Sequence, residues 1–408
     1  MTIRAPKGTI DVLPPESGRW HSLLRAFDAL AERYGYGLAL TPLFEATELF
    51  ARGVGEETDI VEKQMYSFTD KGGRALTLRP EATASVVRAY LQVGRTGVLK
   101  CAYAGPMFRY EQPQAGRRRQ FQQVGVEYLG EASADADVEV VEVGFRLLEE
   151  AGVGGVVVLL NSLGDPADRA GYRNLLLEFL TARAGSLSED SRRRLEGNPL
   201  RVLDSKVDAA LVADAPTTLD HLGPEAAAHF TAVRAGLERR GIPYEIAPRL
   251  VRGLDYYNRT VFEYVSRSYT AAQGALGGGG RYDPLAELLG GPATPGVGLA
   301  MGVDRIVAAM PGDSGEHLAV FIVLADRGHR AEALDLVGAL RAAGLAADLD
   351  LGERSVKAQF KVASRRGAAV AAVVGAEWDE GRVTVRALAT GEEQTVPIAE
   401  VAAWAQAR

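Results

Sequence analysis

FRYEQPQAGRRRQFQQVGVE, residues 108–127, is the stretch from which the rest of the 408-residue chain can be interpreted. Its two ends contain apolar residues in short runs. Its middle is polar and contains Pro113 and Gly116, two residues typical of turns. The pattern predicts two strands joined by a loop over 112–119, with three consecutive arginines, 117–119, at the tip of the loop.

The predicted hairpin carries charged and amide side chains on both strands: Arg109, Glu111, Gln123 and Glu127. Fixed charges on rigid strands beside a mobile basic loop suit a site that binds a nucleotide and then meets a polyanion. An arginine triplet taken alone is more often a solvated loop, so its role depends on what the rest of the chain supplies.

This stretch resembles motif 2 of the class II aminoacyl-tRNA synthetases, whose core reads fRxE. Its longer form, FRYE-QPQ-GR-RQF-Q-G-E, is similar to the version found in the histidyl-tRNA synthetase family. One departure is Gln112, because relatives commonly have Arg at this point of the loop that meets the tRNA acceptor end.

Composition restricts the class of protein. Hydrophobic residues make up 47% of the chain and charged residues 24%, as in ordinary globular proteins, and the length allows about two to three domains. The single cysteine, Cys101, excludes an internal disulfide and a Cys-rich metal site, and the five histidines form no ligand motif. There is no apolar run of about 18 residues and no signal-peptide pattern, so we expect a cytoplasmic protein without a membrane segment.

Two further peptides extend the resemblance. Residues 250–263, LVRGLDYYNRTVFE, resemble the family's own peptide RGLDYYxRTxFE, and residues 276–283, LGGGGRYD, match its second histidine-specific peptide. A glycine run lets backbone N–H groups face an anion at a helix start, so we expect a helix over 281–289; a flexible loop is the alternative.

Residues 294–305, TPGVGLAMGVDR, resemble motif 3, a strand followed by a helix that ends in Gly-x-Asp-Arg. Residues 38–45, LALTPLFE, predict a strand. Pro42 places this strand at an edge or an interface because proline cannot donate to a sheet ladder. The resemblance makes it motif 1, at a dimer interface, and an ordinary edge strand is the alternative.

A hairpin with a Gly-Gly turn is predicted over 66–79, followed by a helix over 84–90. Glu81 and Thr83 precede this helix, where such residues usually cap the first turn. In the family, the corresponding Glu and Thr bind the α-ammonium and imidazole of the amino acid. Ala82 stands where glycine is frequent.

Residues 165–243 lack strand patterns, and we predict four helices there, over 166–184, 188–195, 206–213 and 223–241. The segment reads as a helical insertion between two halves of one sheet domain. A structural lid is one interpretation. The resemblance implies a segment that packs on the tRNA acceptor stem.

After a short linker over 311–317, strands and helices alternate from 318 to the end, which predicts an α/β domain with a mostly parallel sheet. One predicted helix and its flanks carry five basic residues: Arg354, Lys357, Lys361, Arg365 and Arg366. The net charge of −7 argues against binding nucleic acid through bulk charge, but a local basic face can contact RNA. The family has its anticodon-binding domain here.

We therefore expect an α+β catalytic domain over 1–312, with a mostly antiparallel class II sheet flanked by helices and the insertion at 165–243. A C-terminal α/β anticodon-binding domain is expected over 318–408. The implied function is ATP-dependent ligation of L-histidine to tRNA(His) through histidyl-adenylate by a homodimer. The alternative is the regulatory synthetase-like subunit of ATP phosphoribosyltransferase, which lacks the anticodon domain and has degraded catalytic peptides.

The resemblance also assigns roles to single residues. Arg109 and Arg252 are expected to hold the α-phosphate from two sides, Arg252 where relatives use a metal ion, and Arg305 to contact the γ-phosphate and adenine. Mg²⁺ is expected with ATP, held mainly by its phosphates without a protein metal site. The expected histidine pocket is Glu81, Ala82, Thr83, Arg109, Gln123, Glu127, Arg252, Tyr256, Tyr257 and Tyr282. The expected ATP site is Arg109, Glu111, Arg117, Phe121 and Arg305, with Arg119 at the phosphates or the tRNA end.

Overall fold

The computed structural model describes residues 3–55, 58, 60–112, 117–197, 199–205, 207–254, 256–269, 274–312 and 318–408. The predicted turn residues 113–116 and residues 313–317 of the predicted linker lie outside this part of the chain. The chain divides into two compact units. The first comprises Met1–Asp11 and Leu23–Pro311, and the second Val12–Ser22 and Gly312–Arg408. Among the described residues, no helix has both the length and the apolar character needed to cross a membrane.

Helices and strands alternate irregularly up to residue 311. The helices are α1 (Ser17–Arg33), α2 (Thr47–Val54), α3 (Thr83–Gln92), α4 (Ala134–Glu150), α5 (Pro166–Thr181), α6 (Glu189–Gly197), α7 (Pro224–Arg239), α8 (Leu285–Leu288) and α9 (Val303–Ala309). The strands are β1 (Gly37–Leu38), β2 (Phe44–Ala46), β3 (Tyr66–Thr69), β4 (Ala75–Leu78), β5 (Leu99–Phe108), β6 (Gln120–Leu129), β7 (Val156–Ser162), β8 (Tyr244–Ile246), β9 (Asn258–Ser266), β10 (Ala275–Arg281) and β11 (Gly296–Gly302).

The first unit is built on a sheet whose described strands run in the order β1-β5-β6-β11-β10-β9-β7-β8. The pairings at the two edges, β1 with β5 and β7 with β8, are parallel, and all those between them are antiparallel. A smaller antiparallel sheet has the order β2-β4-β3. Helix α4 lies against β6, β7, β9 and β11 and packs on α7. The predicted fold class, a mostly antiparallel sheet flanked by helices, is confirmed.

Strands β5 and β6 form the hairpin predicted around 108–127, with Phe108 opposite Gln120 in the register. Strand β5 ends at Phe108, so Arg109 and Glu111 lie beyond the strand, contrary to the prediction that they stand on it. Arg109 is nevertheless held in place. Its N–H donates to the Arg119 carbonyl, and its Nε donates to the Pro80 carbonyl, both at 2.9 Å.

The single strand predicted over 38–45 is wrong. Strands β1 and β2 belong to different sheets, and Pro42 lies in the link between them, where the missing N–H is not needed for a ladder. Arg79 holds this link, because its Nη1 donates to Thr41 Oγ1 at 3.0 Å while its Nε donates to the Pro106 carbonyl at 3.0 Å.

The helix predicted to begin at Arg281 is also wrong. Residues 277–280 lie within β10, a strand in the middle of the sheet between β9 and β11, and helix α8 begins only at Leu285. The glycines of this run leave room for the two neighbouring strands. Their N–H groups pair within the sheet rather than face an anion at a helix start.

Between β7 and β8 the chain forms α5, α6 and α7. The helix predicted over 206–213 is wrong, since 207–214 are turns and bends, while residue 206 lies outside the described residues. Asp208 explains the turns. Its carboxylate accepts hydrogen bonds from Ser188 Oγ at 2.7 Å and Ser205 Oγ at 2.8 Å, and such local side-chain bonds compete with a helix.

The second unit contains the α/β alternation predicted for 318–408. Strand β12 pairs in parallel with β13 and β14, and β15 and β16 add an antiparallel hairpin at one edge. The elements are β12 (Val320–Leu324), α10 (Arg330–Ala342), β13 (Ala347–Leu349), α11 (Val356–Arg365), β14 (Val370–Val374), β15 (Arg382–Ala387), β16 (Glu393–Pro397) and α12 (Val401–Gln406). Acidic neighbours pair with part of the predicted basic face, as Arg354 does with Asp350 at 3.0 Å.

A buried ion pair joins β10 to α4. The side chains of Arg281 and Asp137 have no solvent exposure, and Arg281 Nε donates to Asp137 Oδ2 at 3.1 Å. The rest of the guanidinium is satisfied by the carbonyls of Glu131 and Ser133, each at 3.1 Å, and by Asp283 Oδ1 at 3.1 Å. Loss of one partner of such a pair is strongly destabilising, because the other charge then stays buried.

We predict that Asp137→Asn lowers the free energy of unfolding of this unit by about 3 kcal/mol or more, because it leaves the Arg281 charge buried without its main partner. Urea unfolding followed by circular dichroism measures the loss. Arg33→Gln is the matched control. It breaks the ion pair with Glu150, whose side chains are 56% and 38% exposed, and such surface pairs contribute about 1 kcal/mol or less. Equal losses in the two variants would contradict the prediction.

Candidate active site

One pocket in the first unit gathers most of the predicted site residues. It contains about 1010 Å³ of empty space, open solvent at its mouth included. All the predicted site residues except Ala82, Arg119 and Glu127 line it: Glu81, Thr83, Arg109, Glu111, Arg117, Phe121, Gln123, Arg252, Tyr256, Tyr257, Tyr282 and Arg305.

Glu127, on β6, lies beneath the wall of the pocket and has no solvent exposure. Three hydroxyls donate to its carboxylate. Thr83 Oγ1 and Tyr103 OH bind Oε1 at 2.6 and 3.3 Å, and Tyr282 OH binds Oε2. Across the sheet, a Cβ at Gly298 would lie 1.8 Å from Glu127 Oε2, so only glycine fits there. The Glu127 carboxyl faces the pocket through the hydroxyls of Thr83 and Tyr282.

Burial raises the pKa of the Glu127 carboxyl from its ordinary 4.5 to about 8. The hydrogen bonds from Thr83 and Tyr282 act in the opposite direction, whereas the nearby Glu81 adds to the increase. Burial also raises the pKa of the Glu81 carboxyl. A cation bound beside two buried acids favours their ionised forms, so this part of the pocket suits a positively charged ligand.

Glu81 also holds the start of α3. Its carboxylate accepts the N–H groups of Thr83 at 2.7 Å and Ala84 at 2.9 Å. Capping and pocket lining are therefore not exclusive alternatives, since one carboxylate does both. Ala82, between the two, occupies the N-cap position of α3 and is 1% exposed; it does not line the pocket.

Arg252 brings a guanidinium into the pocket beside a carboxylate, and its Nη1 donates to Glu263 Oε1 at 2.9 Å. A Cβ at Gly278 would lie 2.9 Å from the same Nη1, so the glycine run of β10 makes room for this side chain. Arg252 Nε is buried and has no hydrogen-bond partner among the described residues. An unpaired buried donor is costly, so an anionic oxygen of a ligand is the partner that this atom lacks.

Gln123 presents the complementary case. Its side chain is buried, lines the pocket, and has an Oε1 without a hydrogen-bond partner in the described part of the chain. The wall beside it is aromatic. The ring centroids of Tyr256 and Tyr257 are 4.7 Å apart, and those of Tyr256 and Tyr282 are 5.7 Å apart. An unpaired acceptor, buried acids and flat walls suit a small ligand with a cationic group and a planar ring.

The remaining part of the pocket is cationic and contains Arg109, Arg117 and Arg305. Burial, and then the charge of Arg117, lowers the pKa of the Arg305 guanidinium, and burial lowers the pKa of Arg109. Arginines that repel one another are stabilised by a bound anion. The Phe121 ring, whose centroid lies 5.3 Å from the Arg109 guanidinium carbon, adds a flat apolar surface on which a base can stack.

The pocket also contains residues that the sequence interpretation did not assign. Glu263 and Asp304 line it, and both lie within the peptides that carried the resemblance, so their positions beside Arg252 and Arg305 offered a signal. Asp304 pairs with Arg118 and accepts the Gln122 N–H at 3.1 Å. No local pattern selects Arg118 from its triplet, and none points to Tyr103, which reaches Glu127 from β5.

Arg119 was expected at the phosphates or the tRNA end, but it does not line the pocket. Its guanidinium carbon lies 3.8 Å from the centroid of the Tyr110 ring, and its N–H donates to the Gly8 carbonyl at 2.8 Å. Arg119 therefore anchors the base of the loop to the N-terminal segment.

Two chemically different halves thus meet in one pocket. One half offers buried acids, an unpaired amide oxygen and tyrosines. The other half offers arginines and a flat apolar ring. Positioned cations stabilise charge that develops on phosphate oxygens, so the arrangement suits attack by a carboxylate on a nucleotide phosphate.

Comparison with known families gives two matches that together span most of the chain. Residues 8–306 match the family described as "Histidyl-tRNA synthetase", and residues 318–408 match the "Anticodon binding domain" family. The first match includes every residue of the pocket described above.

Individual relatives are similar over almost their whole length. The histidine–tRNA ligase of Desulforudis audaxviator is 46% identical, with 98% of each chain covered. That of Rhodococcus erythropolis is 48% identical, with 98% of this chain and 96% of the relative covered. The crystal structure of the apo histidyl-tRNA synthetase of S. aureus is 36% identical, with 99% of each chain covered and a TM-score of 0.78.

We predict that Glu127 makes the stability of the first unit depend on pH. Between pH about 5 and 8 the folded chain keeps this proton and the unfolded chain has lost it, so the free energy of unfolding falls as pH rises, by up to about 1.4 kcal/mol per pH unit. Glu127→Gln removes this contribution. Its stability relative to the unsubstituted chain should therefore increase from pH about 5 to 8 and level off above.

Urea unfolding of both proteins, in steps of about one pH unit from about 5 to 9, tests this. A stability difference that stays constant over this range would show that the Glu127 carboxyl has no raised pKa.

Proposed function

The chain belongs to the histidyl-tRNA synthetase family, and we propose that it ligates L-histidine to tRNA(His) through a histidyl-adenylate formed from ATP. The observation that carries the proposal is the pair of unsatisfied buried atoms in one pocket. Gln123 Oε1 lacks a donor and Arg252 Nε lacks an acceptor, and an amino acid supplies both through its ammonium and carboxylate.

In this proposal, histidine binds in the acidic half of the pocket. Its ammonium faces Glu81 and Gln123, and its imidazole lies against the tyrosine wall. The hydroxyls of Thr83 and Tyr282, which bind Glu127, lie where they can hydrogen-bond to the ring nitrogens. A polar pocket of this kind rejects ring systems without matching nitrogens, because its own polar groups would then stay buried and unpaired.

The nucleotide binds in the cationic half. We propose that the adenine stacks on Phe121, that Glu111 contacts its edge, and that Arg305 and Arg117 hold the outer phosphates. Arg109 then contacts the histidine carboxylate and the α-phosphate from one side, and Arg252 contacts the same two groups from the other.

Adenylation proceeds by attack of a histidine carboxylate oxygen on the α-phosphorus. The new P–O bond forms as the bond to pyrophosphate breaks, and negative charge grows on the phosphate oxygens. Fixed guanidiniums stabilise that charge without any proton transfer. In the second step, a hydroxyl of the terminal adenosine of tRNA attacks the activated carbonyl carbon, and AMP leaves.

We propose that Mg²⁺ enters with ATP and is held mainly by the β- and γ-phosphates. The chemistry of the pocket supports this, since two of the carboxylates that line it already have guanidinium partners: Glu263 with Arg252, and Asp304 with Arg118. An ion bound in this way would supply positive charge for the pyrophosphate, and the residues of the chain position the reacting groups.

We further propose that residues 1–312 form the catalytic domain, that the insertion 165–243 contacts the acceptor stem, and that 318–408 bind the anticodon of a cytoplasmic tRNA. The regulatory subunit of ATP phosphoribosyltransferase is disfavoured as an alternative. Residues 318–408 match an anticodon-binding family, and the similar histidine–tRNA ligases span nearly the whole chain.

We predict that ATP–pyrophosphate exchange responds to histidine alone among the twenty amino acids. Arg252→Ala should lower the histidine-dependent exchange by roughly a hundredfold, since a lost phosphate-facing donor costs about 3 kcal/mol of barrier. Arg267→Ala is the matched control, because Arg267 follows β9 with its side chain 65% exposed and paired with Glu245. Exchange driven by another amino acid would refute the substrate, and near-normal exchange by Arg252→Ala would refute the role of that arginine.

We also propose that the protein acts as a homodimer through the region around β1 and β2. Several large apolar side chains are exposed there, although most such residues are buried in a monomer: Leu38 (72%), Leu40 (82%), Leu43 (44%), Phe44 (52%) and Phe68 (44%). The Phe44 and Phe68 rings pack edge to face with centroids 6.4 Å apart, so part of this surface is contiguous. Exposed apolar patches of this kind mark protein interfaces.

We predict that Leu40→Glu converts the dimer to a monomer, because a carboxylate replaces an apolar side chain that the interface would bury. Analytical ultracentrifugation measures the mass. Val207→Glu, at a position that is 84% exposed on the helical segment, should leave the mass unchanged. A monomeric unsubstituted chain, or a dimeric Leu40→Glu variant, would contradict the proposed interface.

A further inference from the structure

The peptide that follows the two pocket tyrosines has an unusual backbone conformation. Arg259 has a φ of 45°, and it is the one non-glycine residue with positive φ in the described part of the chain. A side chain other than glycine adopts this conformation at a cost in free energy, and it persists only where the surroundings hold it. The contacts that hold Arg259 come from the start of the helical segment.

Backbone and side chain of Arg259 both bind this segment. Its N–H donates to the Gly164 carbonyl at 2.9 Å, and its carbonyl accepts the Leu163 N–H at 2.7 Å. Its Nε and Nη2 donate to the two oxygens of Asp165 at 2.6 and 3.0 Å. The two side chains are 20% and 27% exposed, so this two-bonded pair is largely shielded from water.

The residues before Arg259 are anchored as well. Arg169, on α5, donates from Nη1 to the Tyr257 carbonyl at 2.8 Å. Asn258 exchanges two hydrogen bonds with Asp283, which follows Tyr282: its Nδ2 donates to Asp283 Oδ2, and its Oδ1 accepts the Asp283 N–H, both at 3.0 Å. Tyr257 and Arg259 are thus held by α5 and the residues that precede it, and Asn258 between them is held by Asp283.

Helix α5 is a rigid support for these contacts. Asp165 precedes its first residue, and the Asp165 N–H donates to Asp168 Oδ2 at 3.0 Å. The buried face of the helix, with Tyr172 and Leu176, belongs to the same apolar cluster as Tyr256 and Tyr257. A displacement of α5 therefore displaces the tyrosine wall.

We propose that Arg259 is a positioning residue for the amino-acid pocket, which fixes Tyr256 and Tyr257 through its pair with Asp165, with Arg169 as the second tie to α5. This inference rests on the proposed function, since it assigns those tyrosines to the histidine pocket. The helical segment 165–243 is then a structural part of the amino-acid site. Loosening either tie weakens histidine binding and leaves the ATP half of the pocket intact.

The test is steady-state ATP–pyrophosphate exchange on the full-length chain with Asp165→Asn and, separately, Arg169→Gln. Asparagine keeps a side-chain oxygen and remains a good helix N-cap, so α5 is preserved while the charge is removed. The expected result for each variant is a rise of about tenfold in the KM for histidine, with the KM for ATP and kcat changed less than about twofold.

A double-mutant cycle separates positioning from general loosening. If Arg259 acts through Asp165, Arg259→Gln and Asp165→Asn each raise the KM for histidine, and the double variant is no worse than the worse single variant. Glu225→Gln is the matched control. Its carboxylate lies 3.8 Å from Arg259 Nη2 and its side chain is 89% exposed, so the KM for histidine should not change.

Three outcomes would overturn the inference. The first is an unchanged KM for histidine in both Asp165→Asn and Arg169→Gln. The second is an equal rise in the KM values for histidine and ATP, or a lowered Tm without a change in their ratio, as expected of a purely structural contact. The third is multiplication of the two single effects in the double variant. Absence of histidine-dependent exchange in the unsubstituted chain is a different result, which refutes the proposed function itself.

Discussion

A guanidinium and a carboxylate without any solvent contact, Arg281 and Asp137, fix the strand around which the pocket is built. A buried charge pair is stable only when its remaining hydrogen-bonding groups are also satisfied, so it tolerates little movement. Arg281 ends strand β10, and the next residue, Tyr282, reaches Glu127 beneath the pocket. Asp283 then binds the peptide that carries the other tyrosines. One buried pair thus positions Tyr282, the contact of Tyr282 with Glu127, and the peptide that carries Tyr256 and Tyr257.

The same physical rule explains how charges are sorted within the pocket. Three of the arginines that line it have an acidic partner: Glu263 for Arg252 at 2.9 Å, Asp304 for Arg118, and Glu111 for Arg117 at 3.5 Å. These partners limit the repulsion between guanidiniums before an anion binds. The atoms left without partners, Arg252 Nε and Gln123 Oε1, are then those with the most to gain from a ligand.

Much of the fold follows from local patterns, and the errors have identifiable causes. Alternating strand and helix patterns predict the second unit, and two apolar runs around a polar turn segment predict the long hairpin, because these signals are local in the sequence. The strand prediction over 38–45 is wrong because Pro42 lies between strands of two different sheets. The helix prediction over 206–213 is wrong because the Asp208 carboxylate accepts hydrogen bonds from Ser188 and Ser205, which stabilise turns instead. The glycine run is mistaken for the start of a helix because a central strand without side chains has no apolar pattern to detect. Its glycines are required by neighbours distant in sequence, such as Arg252.

For the candidate site, the sequence predicts which residues come together better than it predicts their contacts. Motifs specify which residues converge, and nearly all of those named from the sequence line one pocket. They do not specify contacts, because the partner of each charge lies on another element. Glu127 sits below the wall rather than in it, and Tyr103 reaches it from β5, about 24 residues earlier in the chain. Arg118 is distinguished from its neighbours only by Asp304, on a helix that begins far downstream. The motifs show which arginines lie near a bound phosphate. Contacts with residues distant in sequence decide which of these arginines can bind it.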